Sequence, residues 1–476
     1  MKRLILVDHY SPGDAVLLTA AIRDLHRTYP AAFLTGIQSP YRDLWANNPF
    51  ITDLAALQGK AKIVECQAPL VQSSNRSPNH VLAAFIDFLN KQLKLEIEAT
   101  EFRGDIHLSN SERAAATPIE EITGQDMPYW IISAGGKFDY TVKWWDVQRY
   151  QGVVDHFRGR ILFVQVGEKR HYHPPLTGVL DLRGKTNLRQ LIHLVHGAQG
   201  VMCPVTLLMH LAAAVETRKG MPSTRACVVV AGGREPSQWG AYPTHQFIHT
   251  TGVLKCCESG GCWRARTIPL GDGDRHDRPE YLCTDVIMYK DGRRHRLGND
   301  WNTRKASAVE DARYLPHCMD LISSHEAIRR IELYFAGGAL RYLNSQEARA
   351  AELATSHQTA PSNGSSHPIM KSIAQRRVNS NTAPMVHSKE SESPIAEHQR
   401  RFDECVAGTY RYPRRRFYGR GIVMCGGGEK YFPCIWVCLN ILRKLGCGLP
   451  IELWHLGADE LTPHMRHLII SLERRA

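Results

Sequence analysis

The sequence predicts an α/β protein made of two successive halves, each built on a parallel sheet, followed by a linker and a partial third α/β unit. Three observations carry this. Runs of consecutive apolar residues such as Leu4-Ile5-Leu6-Val7 and Ile161-Leu162-Phe163-Val164 read as strands buried on both faces, the mark of parallel sheets. They alternate with amphipathic helical stretches, which is βαβ repetition. The alternation stops near Asn344 and restarts at Gly421. At 476 residues the chain exceeds what one core serves.

The composition is that of a soluble globular protein, with 43% hydrophobic and 22% charged residues. No apolar run approaches the ~20 residues needed to cross a bilayer. Asp8 cuts the first apolar run too short for a signal peptide. A cytoplasmic location follows, with contact at the inner face of the membrane compatible with it. The formal charge of +12 favours an anionic partner without choosing one. In that compartment the 13 cysteines are free thiols or metal ligands rather than disulfides.

The first half spans 1–125. Leu4 to Val7 is a strand and Ser11-Pro12-Gly13-Asp14 breaks it. From Ala15 onward, Val16, Leu17, Ala20, Ile22 and Leu25 recur at helical spacing, with Arg23, Asp24, Arg27 and Thr28 on the other side. Asp14 therefore sits at the carboxyl end of the first strand, where open α/β sheets place ligands, or else it merely caps the helix. Ala32 to Gly36 and Lys62 to Cys66 read as further strands, and Val81 to Leu93 as an amphipathic helix. Asp105 to Thr123 reads as the passage to the second half.

The second half spans 126–343. The strand Tyr129 to Ser133 runs into Ala134-Gly135-Gly136-Lys137, where glycines let backbone N–H groups approach an anion and a lysine adds charge. Lys143-Trp144-Trp145 and a helix from Tyr150 to Phe157 follow. Ile161 to Gly167, Val179 to Leu182, Gly200 to Cys203 and Ala226 to Ala231 are strands. Asn187 caps the helix Leu188 to Gly197, and Pro204-Val205-Thr206 turns into the small-residue helix Leu207 to Ala214. The last of these strands ends in Gly232-Gly233-Arg234-Glu235-Pro236.

Cys256, Cys257, Cys262, Cys283 and Cys318 cluster between 256 and 318. Four thiolates make a closed tetrahedral site for zinc or iron, hence a structural one; the alternative is reduced, buried cysteines. Asp285 to Tyr314 reads as a hydrophilic surface loop and Ser324 to Leu340 as a closing helix. From Asn344 to Arg401 there is no Phe, Trp or Tyr, so 344–416 is expected to be a linker. Arg411, Arg414, Arg415, Arg416 and Arg420 read as a solvated face, and no nucleic-acid module accompanies them. In 417–476, Gly421 to Cys425, Tyr431 to Gly446 and Pro450 to Trp454 form a strand, a helix and a strand.

Two Rossmann-like halves facing across a cleft are the GT-B architecture. In order, Gly13-Asp14-Ala15-Val16, Lys185-Thr186-Asn187-Leu188, Met209-His210-Leu211-Ala212-Ala213-Ala214 and Gly232-Gly233-Arg234-Glu235-Pro236 with Trp239 and Tyr242-Pro243 resemble glycosyltransferase family 9, the ADP-heptose:lipopolysaccharide heptosyltransferases. The resemblance covers roughly Met1 to Leu343. It implies transfer of a heptose from ADP-heptose to a glycan or lipopolysaccharide-core hydroxyl with inversion, without a catalytic metal. It implies Asp14 as the base, and Gly13, Lys137, Lys143, Thr206, His210 and Glu235 as donor-binding residues. Val205 departs from the pattern, standing where the family carries Asp or Asn. Other readings are a transferase for another nucleotide sugar and a catalytically silent binding or scaffold protein.

The Gly-Cys-Trp segment resembles the cysteine motif of autotransporter heptosyltransferases, which hold an iron ion. That implies Cys257, Cys262, Cys283 and Cys318 as ligands of a structural iron or zinc. Those relatives carry an extra amino-terminal domain for a protein acceptor. This chain opens on its first strand, so a glycan or lipid-linked glycan acceptor is expected, with a homo-oligomer compatible. The tail resembles the opening of GT-A mannosyltransferases of the fungal α-mannosyltransferase type. Too short to complete that domain, it is expected to have no activity. By analogy with GT-B proteins, the helix from Ser324 is expected to cross back to the first half.

Overall fold

The chain divides into two units, 1–380 and 381–476. The computed structural model describes residues 1–57, 59–66, 74–297, 312–356, 422–425, 428–444, 447–454 and 461–473.

In the first unit, the leading lobe is a parallel sheet with β1 (Lys2–Asp8) between β2 (Phe33–Gln38) and β3 (Lys62–Cys66). Helix α1 (Pro12–Thr28) follows β1 directly, with Ser11 as its cap and Pro12 in its first turn. The expected polar side of α1 is not exposed, because Arg23 and Asp24 are fully buried. Arg23 donates to Asp24 at 2.9 Å and to the carbonyls of Arg103 and Glu101 at 2.8 Å each. The Asp24 carboxylate also accepts from Thr100 at 2.5 Å. The segment around 100–103 thus covers the face that periodicity alone assigns to water. Helix α2 (Val81–Leu93), capped by His80, packs on α1.

The second lobe is a parallel six-stranded sheet in the order β6-β5-β4-β7-β8-β9. Its strands are β4 (Tyr129–Ile132), β5 (Leu162–Gln165), β6 (Leu180–Asp181), β7 (Gly200–Pro204), β8 (Ala226–Gly232) and β9 (Gln246–His249). Helices α4 (Val147–His156), α5 (Leu188–Gly197) and α6 (Leu207–Ala214) cover it, and α3 (Pro118–Thr123) precedes it. One apolar cluster runs from the first lobe through α1 to one face of this sheet, joining Leu6, Leu18, Val201 and Val229. A second, with Trp130, Phe163 and Ile331, fills the other face.

Three expectations change. The Asp285 to Tyr314 stretch is not simply a loop: β10 (Val286–Lys290), β11 (Arg293–Arg296) and β12 (Arg313–Pro316) form an antiparallel sheet. β11 is all basic and exposed, so its strand character is invisible to hydrophobic pattern. The closing helix α7 (Ser324–Ala336) does not cross back; it packs on α4 and β8 of its own lobe, with Ala327 and Ile331 buried there. The next helix, α8 (Ser345–Ser356), instead packs on α3, inside the stretch expected to be linker. Asn344 caps it, Arg341 pairs with Glu347 at 2.7 Å, and Ala351 is buried. An Ala- and Glu-rich helix needs few aromatics to dock. Residues 357–421, with the basic cluster, lie outside the described residues.

In the second unit, β13 (Ile422–Cys425) and β14 (Ile451–Trp454) pair in parallel. Helices α9 (Gly428–Lys444) and α10 (Pro463–Glu473) pack together, with Phe432, Ile435, Leu439 and Met465 buried. No described helix is long and apolar enough to cross a membrane.

Removing Arg23 strands the Asp24 carboxylate in the core. Arg23→Ala is expected to cost about 3–5 kcal/mol of stability, measured by urea unfolding.

Candidate active site at the meeting of the two lobes

The end of β1 is closed by its own side chains. Asp8 is buried and accepts from the Tyr10 backbone at 2.9 Å and from Ser39 Oγ at 2.8 Å. The chain then turns into α1, where Ser11 Oγ donates to Asp14 Oδ2 at 2.8 Å. Among the described residues, Oδ1 of Asp14 carries no hydrogen bond. Gly13 lies against the second lobe: a Cβ there would stand 3.3 Å from His210 Cδ2 and 3.7 Å from the Leu207 backbone. A side chain at Gly13 would have to push the His210 ring aside by a few tenths of an ångström, so glycine suits the close approach of α1 to α6.

Burial raises the Asp14 carboxyl above the usual aspartate range. Ser11 and the Lys143 charge pull it down, while Glu235 and Asp8 push it up. Asp14 thus feels charges from both lobes.

Lys143 ends the turn Phe138–Lys143; its Nζ lies 2.6 Å from Glu235 Oε1 and donates to the Val205 carbonyl at 3.2 Å. Val205, the position that departs from the expected Asp or Asn, therefore contributes its backbone instead. Arg234 also bonds Glu235 Oε1. Its guanidinium sits 4.9 Å from the Tyr140 ring and 5.1 Å from that of Trp263, so stacking on both sides holds it. Burial lowers Lys143 below the usual lysine range, opposed by Glu235. Burial would raise Glu235, but Lys143 and Arg234 outweigh it and hold the carboxyl low.

His210 is buried in α6, and burial pulls its pKa down to about 3, so it is neutral; its Nδ1 lies 2.8 Å from the Tyr242 hydroxyl. Thr206 caps α6 by position only. Its Oγ1 donates back to the Pro204 carbonyl at 3.3 Å, which leaves the first N–H groups of the helix without a side-chain cap.

Asp14, Gly13, Lys143, Thr206, His210 and Glu235 therefore share one neighbourhood. Lys137 does not join it: its charge and that of Asp139 act on His171. The Gly135-Gly136 turn is not an open anion cradle either, because Gly136 N–H donates to the Tyr172 carbonyl at 2.8 Å. A Cβ at Gly135 would stand 2.0 Å from that carbonyl oxygen, which is why glycine is needed. Sequence reasoning missed Arg234 and Tyr140 as site residues. Only Arg234 left a signal, its place beside Glu235 in the strand-end turn.

The cysteines gather at the end of β8. Cys257 and Cys318 are buried against Gly233 and Gly232, where a Cβ would come within 3.0 and 3.3 Å of their sulfurs. Burial, then the neighbouring thiols Cys283, Cys262 and Cys257, push Cys318 up. A bond from Cys256 lowers Cys257 to about 6. By their chemistry, soft thiolate donors fit iron or zinc. Among the described residues, however, the sulfurs do not close as a set of three to within 4.8 Å; Asp139, Asp274 and His276 do, on a partly exposed surface. The cysteine loop is clipped to the first lobe by Asn75, which donates to the Gly261 carbonyl at 2.8 Å and accepts from Trp263 at 2.6 Å.

Residues 61–219 match the family model of glycosyltransferase family 9 (heptosyltransferase), and 419–474 match a mannosyltransferase family model. Solved structures similar to the chain include the family 9 glycosyl transferase of Veillonella parvula DSM 2008, at 15% identity and TM-score 0.40 over 52% of this chain and 85% of that one. The ADP-heptose lps heptosyltransferase II of E. coli is similar at 10% identity and TM-score 0.41, over 71% of this chain and all of that one. The iron-containing dodecameric glycosyltransferase TibC from enterotoxigenic E. coli H10407 is similar at 14% identity and TM-score 0.43, over 71% and 76%. No curated protein matches the chain. The two family matches bear out the resemblances read from the sequence, and with the first the reading as a glycosyltransferase.

A carboxyl whose pKa is raised on folding weakens the folded chain above that raised value, and not below the ordinary value of 3.8. Asp14→Asn is therefore expected to melt higher than wild type at pH 7. The gain should fade as pH falls through the raised pKa toward the ordinary one, read by calorimetry across that range.

Proposed function

We propose that this chain is an inverting glycosyltransferase that moves a heptose from ADP-heptose to a hydroxyl of a glycan or lipid-linked glycan of the lipopolysaccharide-core kind. The observation that carries the reading is the meeting of Asp14, from the first lobe, with Lys143, Glu235 and His210 of the second.

In this reading Asp14 is the general base. Ser11 occupies Oδ2 and orients the carboxyl, leaving Oδ1 for the acceptor hydroxyl. The hydroxyl oxygen bonds the anomeric carbon from the face opposite the leaving group, and its proton passes to Oδ1 as the oxygen acidifies. The bond from that carbon to the diphosphate breaks with its electron pair, which goes to the phosphate oxygen. Lys143 and Arg234, both gathered on Glu235 Oε1, stand ready to offset this charge without a catalytic metal. The α6 N-terminus, without a side-chain cap, adds free N–H groups. Lys137, beside His171, is left to the rim. A chain of charge +12 suits work at an anionic membrane face.

Cys257, Cys262, Cys283 and Cys318 would hold a structural iron or zinc, which supplies a fixed cross-link and no step of the reaction. Val205 supports a second reading within the class. An apolar side chain in place of Asp or Asn alters the donor contact and suits another nucleotide sugar.

With ADP-heptose as donor, Asp14→Asn is expected to lose at least ~100-fold in transfer while still binding the donor. Transfer unchanged by the substitution would remove Asp14 from the base role, and binding without turnover in wild type would favour a silent binding protein. Metal analysis of the purified chain should find about one equivalent of iron or zinc, and loss of one of the four cysteines should abolish it. Less than about a third of an equivalent in wild type would leave the four-thiolate site without support.

A further inference from the structure

We propose that Tyr242 is a positioning residue that fixes His210 as the tautomer with its proton on Nε2, so that the second lobe presents a neutral N–H donor beside Asp14. The proposal rests on the reading of His210 as a contact to the donor diphosphate.

A bond between a phenol and an imidazole can run either way, and the surroundings decide which. The Tyr242 hydroxyl lies 2.8 Å from His210 Nδ1, deep in the protein. Burial keeps the phenol protonated and the imidazole neutral. If His210 donated from Nδ1, the tyrosine hydrogen would need a second acceptor. The rings packed on Tyr242 do not provide one. His80 Nδ1 already accepts from the Leu82 backbone, and neither His80 Nε2 nor either His245 nitrogen is in a hydrogen bond. An orphaned buried hydroxyl is costly, so Tyr242 donates, Nδ1 accepts, and the imidazole proton resides on Nε2.

The ring faces the right way for this to matter. Its Cδ2, adjacent to Nε2, lies 3.3 Å from where a Cβ on Gly13 would be, so the Cδ2 and Nε2 edge faces the turn that carries Asp14. Because the imidazole does not charge until about pH 3, it acts as a hydrogen-bond donor and not as an acid.

The device also spans the two lobes. His80 and Phe102 of the first lobe pack edge-on against the Tyr242 ring at 4.9 and 6.2 Å. The His245 ring, from the second lobe, lies tilted against it at 5.0 Å. Side chains of both lobes thus pack around the Tyr242 ring.

The test uses the full chain labelled with 15N-histidine. His210, assigned by loss of its signal in His210→Gln, should show the Nε2–H pattern in wild type and a mixed or reversed pattern in Tyr242→Phe. An Nδ1–H pattern in wild type, or an unchanged pattern in Tyr242→Phe, would overturn the proposal. Calorimetric titration with ADP gives an independent readout. Tyr242→Phe and His210→Ala should each weaken binding by about 10-fold, and the double variant should be no weaker than His210→Ala alone. Losses that add would mark a merely structural tyrosine. Wild type that binds no ADP would count against the donor-site reading, while the tautomer spectrum would still decide the role of Tyr242.

Discussion

The close approach of α1 to α6 is the constraint on which the first unit depends. A helix from the leading lobe and one from the second meet almost backbone to backbone, with Gly13 against His210 and Leu207. The same economy recurs at Gly104, where a Cβ would come within 2.6 Å of Val16 and 2.9 Å of Ala214. Small residues at such points let one apolar cluster continue from the first lobe into the second sheet. The carboxylate of Asp14 is thereby brought to the opening turn of α6.

What gathers there is a set of charges that would be costly apart. Lys143 and Arg234 are brought out of water by sharing one carboxylate, and two aromatic rings hold the guanidinium in place. Without such a partner a buried ammonium would tend to lose its proton, and a guanidinium, which keeps its charge, would carry the whole desolvation cost. Asp14, by contrast, has a hydroxyl partner and no direct cation, so its carboxyl stays above the usual range. On the proposed reading, this carboxylate held basic beside convergent cations is what would serve base-assisted displacement from a diphosphate.

The cysteine loop belongs to this arrangement rather than to a separate module. Trp263, directly after Cys262, stacks on Arg234 and donates to Asn75 of the first lobe. Trp263 thus ties the cysteine loop both to the first lobe and to the cation that faces Glu235.

The sequence by itself determined the alternation of strands and helices, the parallel sheets and the place of Asp14 just after the first strand, at the start of α1. These follow from local periodicity and turn chemistry, which short stretches carry within themselves. Lys143, His210 and Glu235 were named through the family resemblance, which their flanking motifs carry. Only the tertiary structure decided that Arg23 and Asp24 are core residues, since their burial depends on a segment some 80 residues away. It likewise turned Gly135 and Gly136 toward Tyr172, set Lys137 apart, and made α8 rather than α7 the helix that packs on α3. Charge, exposure and partnership are properties of neighbours in space, and no stretch of chain records which distant backbone will cover it.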